Sequence, residues 1–539
     1  MKLHFVKSAL ANRVLRTLRP YLGVRPDWSL FASNPQWADA LFAAKPGVKI
    51  LIATSTGGNW ACSALESMLA AALVLRGADV SFILCDGALN ACQECDHQRL
   101  DTKEFLKRGP QSSVCGSCFS PAQDMLLPLG LPLIRFAQYF SGDSHSILDV
   151  QVEPELEEHA RAGALRYFGR GTLPEGKTGE DVLARYRQAA QITAITIKAI
   201  IADQKPDVVV FHHGIYVPQG VIGHVLRKNG VRVVNWGPAY RKGTVLFSHG
   251  NSYHYTMTDE SPNQWLDMNW SEREQELIIA YLGSRRTGSN DWIGFQPESE
   301  LEIGKFLSDI GLDSSRPIIG LLTNVIWDAQ LHFRQTAFPS MLEWLFATIE
   351  HFIIRPELQL VVRVHPAEVQ GTVPSEQRAV DEILQRYGSL PSNIKVIGPD
   401  ENVSTYSLMA RCNSALVYGT KTALELACNG LPVVVAGDAW CRNKGFTIDV
   451  SSPEEYQQVL KTLPFSQGLK QEQILAARKY AYHFFFRRMI PIRNLKSLKY
   501  FGPYKIQVDH PDELSPDADP GLDVICKGIL TGQDFVFQP

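Results

Sequence analysis

The feature that most constrains this chain is a unit of apolar run, polar loop, helical stretch and second apolar run, which occurs more than once. Residues 48–53 are mostly apolar and enter Thr54-Ser55-Thr56-Gly57-Gly58-Asn59-Trp60, and a helical pattern then runs to Leu75 and stops at Gly77. Residues 80–84 form the next apolar run and end in Cys85-Asp86. The unit returns at residues 208–211, followed by His212-His213-Gly214, a helical stretch near 217–228 and a run at 231–234. Strand, helix and strand in that order build parallel sheets covered by helices. After Trp236 the pattern loosens, and residues 256–287 read as polar loop and helix. A fresh block opens at residues 317–322, with further strands expected near 358–364, 394–397, 415–417 and 432–436. The fold class is α/β, and 539 residues exceed the roughly 100–200 of one domain. Two such units joined near residues 285–315 are expected, with ligands outside the carboxyl ends of the strands.

Lys+Arg 53 against Asp+Glu 56 gives a net charge of −3, which argues against a dedicated nucleic-acid binder. The charge is uneven. Residues 1–26 hold six basic side chains and no acid, with Val6, Leu10, Val14 and Leu18 at helical spacing. Such a helix suits either an anionic membrane surface or its own domain. Residues 473–508 hold eight basic side chains and no acid, interleaved with Tyr480, Tyr482, Phe484, Phe485, Phe486 and Tyr500. That mixture suits lipid headgroups, sugars, phosphates or RNA, or a partly buried helix. No run approaches the ~18 apolar residues of a membrane span, and the charges interrupt any signal-peptide core. A soluble or peripheral protein is expected.

Cys92-x-x-Cys95 and Cys115-x-x-Cys118 leave nineteen residues between the pairs. This spacing matches two knuckles of a structural zinc site with closed Cys₄ coordination. An iron–sulfur cluster, a redox pair and unligated thiols are the alternatives. The other six cysteines lie mostly in apolar runs and read as core, which fits a reducing, cytoplasmic setting.

The C-terminal half concentrates polar groups at strand ends. Arg363 and His365 leave the strand near 358–364, and Pro366 fixes the turn. Thr420 and Thr422 open the helix after residues 415–417, where free N–H groups attract phosphate. Glu425, one turn later, is placed to accept from ribose hydroxyls, and Asn324 and Asp328 follow the strand near 317–322. Two other matches carry less. Residues 171–178 fit the P-loop expression, but the charged helical stretch before them is not the strand such a loop needs. Asp517-Ala518-Asp519 imitates a metal-holding aspartate pair in a Pro-rich acidic tail, where a turn is the simpler reading.

Arg363-Val-His-Pro366, the run from Tyr418 through Glu425 to Pro432-Val433, Gly437-Asp-Ala-Trp440 and Lys444-Gly-Phe-Thr447 resemble bacterial capsule polysaccharide biosynthesis proteins. Kdo transferases of the GT-B fold belong to that group, and bacterial sialyltransferases pair a similar His-Pro with a Ser/Thr-rich helix start. The resemblance is good over residues 316–490 and weaker over 46–255. Thr420 stands where a serine is common, Cys441 where an aromatic is, and the paired CxxC knuckles are not part of the pattern. The resemblance, taken with the charge and cysteine patterns, divides the chain into a basic arm (1–45), a Rossmann-like acceptor domain (46–284) carrying the cysteine insertion (92–118), and a linker (285–315). A Rossmann-like nucleotide-sugar domain (316–480) and a basic aromatic segment and tail (481–539) complete the chain. It also implies that His365, Thr420, Thr422 and Lys444 bind a nucleotide-sugar donor, a CMP-linked sugar being one option.

The expected activity is metal-independent transfer to a cell-surface polysaccharide or lipid-linked acceptor, at the cytoplasmic face of the plasma membrane. An inverting transferase needs a base for the acceptor hydroxyl; Asp86 and His213 are the candidates. The Gly57-Gly58 loop is expected to line the same cleft, since glycine lets backbone approach a ligand closely. A nucleotide-sugar epimerase of the same fold and a zinc-knuckle nucleic-acid module are the alternatives.

Overall fold

A computed structural model of the chain describes residues 25–140, 153–285, 290–292, 302–332, 334–498 and 504–539. Most of the basic arm expected at residues 1–45 therefore lies outside the described residues. The apolar runs become strands because both faces of each are covered. β1 (Lys49–Ser55), β2 (Asp79–Leu84), β3 (Leu133–Arg135), β4 (Val208–His212), β5 (Arg232–Pro238) and β6 (Thr244–His249) form a first sheet. Its order is β3-β2-β1-β4-β5-β6, parallel from β3 to β5, with β6 antiparallel. β7 (Ile318–Leu322), β8 (Gln359–Arg363), β9 (Ile394–Ile397), β10 (Ser414–Val417), β11 (Val433–Val435) and β12 (Ile448–Asp449) form a second, parallel sheet in the order β9-β8-β7-β10-β11-β12. In each sheet the strand order reverses once, between β1 and β4 and between β7 and β10. Crevices open at the carboxyl ends of strands at such reversals.

The C-terminal segment is not an appendage. β13 (Ile490–Pro491) pairs antiparallel with β6 and completes the edge of the first sheet. The helix Pro520–Thr531 then packs on the helix Trp60–Val74, every residue of which is buried. Of the aromatics in residues 473–508, Tyr480, Phe484 and Phe485 are core residues, whereas Tyr500 lies outside the described residues. Their neighbouring cations are spent on carbonyls: Arg478 donates to Cys428 O, and Arg488 to Phe535 O and Phe247 O. Burying a large apolar side chain is worth about 1.5–3 kcal/mol, so these three aromatics belong to the core of the fold. Asp519, from the acidic tail, caps the helix Pro520–Thr531 by accepting from Gly521 N–H and Leu522 N–H. A helix, Pro154–Phe168, precedes the P-loop-like stretch. No helix among the described residues is long and apolar enough to cross a membrane.

One buried acid sits at the centre of the first unit. Glu66 accepts a hydrogen bond from Trp236 Nε1 at 2.8 Å and another from the Thr54 hydroxyl. Burial pushes its carboxyl up to about 7, against the lowering effect of those two donors. The unfolded chain loses this proton near pH 4.5 and the folded chain near 7, so stability falls between those values and the cost is complete above them. Glu66→Gln is therefore expected to gain about 3 kcal/mol over the wild type at pH 8 and little at pH 4.5. Denaturant midpoints at the two pH values check this; an equal difference at both would contradict it.

Candidate functional site

The carboxyl ends of the two sheets face one cavity of about 620 Å³, a size that suits a small organic ligand. One wall comes from the second unit: Leu322 to Val325, Asp328, Arg363 to Ala367, Gly419 to Thr422, and Asp438 to Trp440. The opposite wall comes from the first unit and the segment after it, with Tyr240, His254, Tyr255, Arg285 and Asp291. Polar contacts hold the walls together. Tyr216 OH donates to Asp328 Oδ1 at 2.9 Å, Ser252 Oγ meets His332 Nε2 at 2.7 Å, and Arg334 pairs with Asp259 at 2.6 Å.

The second unit brings Asn324, Asp328, Arg363, His365, Thr420 and Thr422 to this cavity, but their tasks differ. Asn324 clamps the loop after β10, since its Oδ1 accepts from Gly419 N–H at 3.2 Å and its amide donates back to Gly419 O. Arg363 is buried and turned towards the carbonyls of Gly398, Glu401 and Val403, so it braces the strand end. His365 Nδ1 accepts from Ala367 N–H at 3.0 Å, which puts the ring proton on Nε2. Burial, then Lys421 and Arg363, lowers this imidazole to about 4, so it is a neutral donor at pH 7. The Thr420 and Thr422 hydroxyls lie 3.3 Å apart, and Thr420 Oγ1 also accepts from Thr422 N–H at 3.3 Å. Asp328 is open to the cavity yet walled by protein, and burial raises its carboxyl against the lowering Tyr216 hydrogen bond.

Four residues expected at the ligand are engaged or packed within the protein itself. Glu425 is 1% exposed and paired with Arg285 at 2.7 Å, with Lys421 Nζ at 3.4 Å and with the Tyr406 hydroxyl. Burial alone would raise this carboxyl; Arg285 and Lys421 hold it below the usual range, and its oxygens are committed to them rather than to a ribose. Lys444 Nζ donates to Thr258 O at 3.0 Å and Glu260 O at 2.7 Å, so it ties the two units together. Gly57 and Gly58 are absent from the cavity wall: a Cβ on Gly57 would lie 2.4 Å from Cys118 O, and one on Gly58 2.5 Å from Glu94 Oε2. Gly57 is required by close packing against the helix that carries Cys118, whereas at Gly58 the Glu94 side chain would have to move.

Neither candidate base reaches the cavity wall. Asp86 accepts from Ala137 N–H at 3.2 Å and so holds the turn after β3. His213 has a left-handed φ of 66°, its ring stacks on Tyr216 at 5.4 Å, and burial followed by His212 and His254 keeps it well below the usual imidazole range. Between it and the cavity stands His254, whose ring is 6.3 Å from that of His213. Burial lowers His254 to about 3.

Several wall residues were not singled out in the sequence. Lys421, between the two named threonines, places its ammonium 4.4 Å from the Tyr240 ring centre. Tyr240 comes from the loop after β5 and His254 from the short helix Tyr253–Thr258 after β6, where Tyr253-His254-Tyr255 was the available signal. Arg285 and Asp291 come from the segment read as a linker, and Asp291 also pairs with Arg285. Of the cysteines, Cys92 and Cys95 share a tight turn with sulfurs 4.0 Å apart, whereas Cys115 and Cys118 lie on the helix Gln111–Leu126 rather than on a second knuckle. Glu153, Glu155 and His224 bring ligand atoms within 4.8 Å of one another, but Lys228 already occupies Glu153 at 2.9 Å.

No family model matches the sequence, and no curated protein does. Among solved structures the chain is similar to the β-Kdo 2,4 transferase KpsC of Thermosulfurimonas dismutans, at 14% identity over 51% of this chain and 79% of that one, TM-score 0.33. It is also similar to the UDP-GlcNAc 2-epimerase of Neisseria meningitidis bound to UDP-GlcNAc, at 11% identity over 81% and 94%, TM-score 0.25. The calicheamicin glycosyltransferase CalG4 follows at 12% identity over 81% and 94%, TM-score 0.25.

Proposed function

We propose that the protein is a glycosyltransferase that moves a sugar from a nucleotide-sugar donor to a hydroxyl of a cell-surface polysaccharide or lipid-linked acceptor. The observation that carries this reading is the cavity between the two sheets. Its second-unit wall sets an Nε2–H donor (His365) after β8 and an ammonium (Lys421) and two hydroxyls (Thr420, Thr422) after β10, on either side of β7, and its first-unit wall offers aromatic faces. Donors and positive charge fixed in a water-poor cleft stabilise the negative charge that develops on a leaving nucleotide phosphate. Tyr240 and Trp440, with ring centres 5.9 Å apart, offer faces for a base or sugar ring.

The acceptor would enter beside His254. Its imidazole is a weak base while the cavity lacks an anion, because burial disfavours its cation. A donor diphosphate brings negative charge that favours the imidazolium, so His254 becomes competent to take the acceptor proton once the donor is in place.

His365→Ala is expected to cut transfer by about 10²–10³-fold while the fold survives, because it removes a donor aimed at developing charge. The check is a thermal-shift screen of wild type and variant with UDP-, GDP-, CMP- and dTDP-sugars, followed by product analysis with and without acceptor. Wild-type turnover by the variant would sink the assignment. Conversion of the donor with no acceptor present would make the protein an epimerase instead.

A further inference from the structure

Five of the ten cysteines gather beside the carboxyl end of β2, outside the cavity. Cys85 follows the strand directly, Cys92 and Cys95 lie on the next loop, and Cys115 and Cys118 project from the helix Gln111–Leu126. None is in a disulfide. The Cys92 and Cys95 sulfurs are 4.0 Å apart, and a Cβ on Gly87 would lie 4.0 Å from Cys115 Sγ, so the loop passes directly over the helix. Cys85 and Cys92 lie within electrostatic reach of each other and of both Cys115 and Cys118.

Burial favours the neutral thiol at Cys85, Cys115 and Cys118, and at Cys92 after its contact with Cys95. Main-chain N–H groups approach the sulfurs and oppose this: Gly87 and Leu89 at Cys85, Glu94 at Cys92, and Gly57 at Cys118. The missing Cβ of Gly57 is what permits that last approach. Arg25, Arg99 and Arg185 stand within electrostatic reach of Cys118, Cys92 and Cys95 respectively. Backbone N–H donors and nearby cations stabilise thiolate sulfur carrying a net negative cluster.

The spacing decides between metals. A single tetrahedral zinc holds sulfur at about 2.3 Å, which sets all four sulfurs roughly 3.8 Å apart. The Cys92–Cys95 pair meets this, but among the described residues no three of the sulfurs lie within 4.8 Å of one another. The nest is too wide for one ion, and a group with several metal centres spans a wider set of sulfurs.

We propose that this nest holds a polynuclear iron–sulfur cluster, with four of the five cysteines as ligands. Its position gives it a structural task, since Gln93, between Cys92 and Cys95, donates to Thr56 Oγ1 at 2.9 Å and to Val217 O at 2.9 Å. Those contacts tie the loop to the carboxyl ends of β1 and β4.

The test is anaerobic purification of the full chain, with iron, acid-labile sulfide and zinc measured per chain alongside the visible spectrum. The expected result is a brown protein with matched iron and sulfide and a broad visible charge-transfer band. Cys92→Ser and Cys118→Ser should each lose most of that band, while Cys526→Ser, in the core of the first unit, should keep it. Should either serine variant fail to fold, the wild-type metal analysis still decides. Stoichiometric zinc without iron would overturn the proposal in favour of a single-ion site. A colourless, metal-free protein whose five thiols all titrate after iron and sulfide reconstitution would overturn it outright.

Discussion

Lys421→Met is expected to weaken nucleotide-sugar binding by about 10- to 100-fold, the equivalent of the 1.5–3 kcal/mol of a hydrogen bond to a charged group. Methionine keeps the length and apolar stem of the side chain and removes only the ammonium. That ammonium is held over the Tyr240 ring at 4.4 Å and 3.4 Å from Glu425, so it is positioned before any ligand arrives. Burial, then Arg285, lowers its pKa, and Glu425 opposes them, so a phosphate beside the amine would favour its charged form. Binding measured calorimetrically at two ionic strengths checks the point. The wild type should lose affinity with added salt more steeply than the variant, and equal affinities would remove Lys421 from the donor site.

Arg285→Met carries the largest expected cost in stability, about 3–5 kcal/mol, because it strands a buried carboxylate. Arg285 reaches Glu425 at 2.7 Å, donates to the Tyr406 hydroxyl at 3.2 Å and also pairs with Asp291, and the side chains of Arg285, Asp291 and Glu425 are all nearly inaccessible. With the guanidinium gone, Lys421 is the cation left beside Glu425 among the described residues, and desolvation drives that carboxyl towards its protonated form. A second change, Glu425→Gln, made in the Arg285→Met chain, should recover part of the loss, since Asp291 is then the buried anion still without its guanidinium. Denaturant midpoints of the two single variants and the double variant give the coupling. Strict additivity would mean that the pair contributes nothing as a pair.

The strands that were legible in the sequence are those whose apolar runs are covered on both faces, such as Ile318–Leu322 and Val208–His212. Thr244–His249 escaped notice because its ends are polar, and Ile490–Pro491 because its partner lies some 240 residues earlier. The site divides in the same way. Arg363, His365, Thr420 and Thr422 could be singled out because each follows its strand within a few residues. Glu425 and Lys444 could not be placed, because their partners Arg285, Thr258 and Glu260 are distant in the chain. The basic aromatic stretch left two readings open for a related reason: local composition does not reveal whether Tyr480 and Phe484 face solvent or a core made elsewhere. Gly57 looked like a ligand loop because close approach to a helix and close approach to a ligand demand the same missing side chain.

The return of residues 490–531 to the first sheet has a consequence for synthesis. The ribosome delivers the first unit's strands long before the strand that closes its edge and the helix that covers Trp60–Val74. Throughout translation of the second unit, that apolar helix face and that open sheet edge lack their native cover. Domains usually fold in the order they emerge, and exposed apolar faces and unpaired edges are where nascent chains aggregate. Here the unit that is made first is finished last, so the second unit matures while the first is still waiting for its own end.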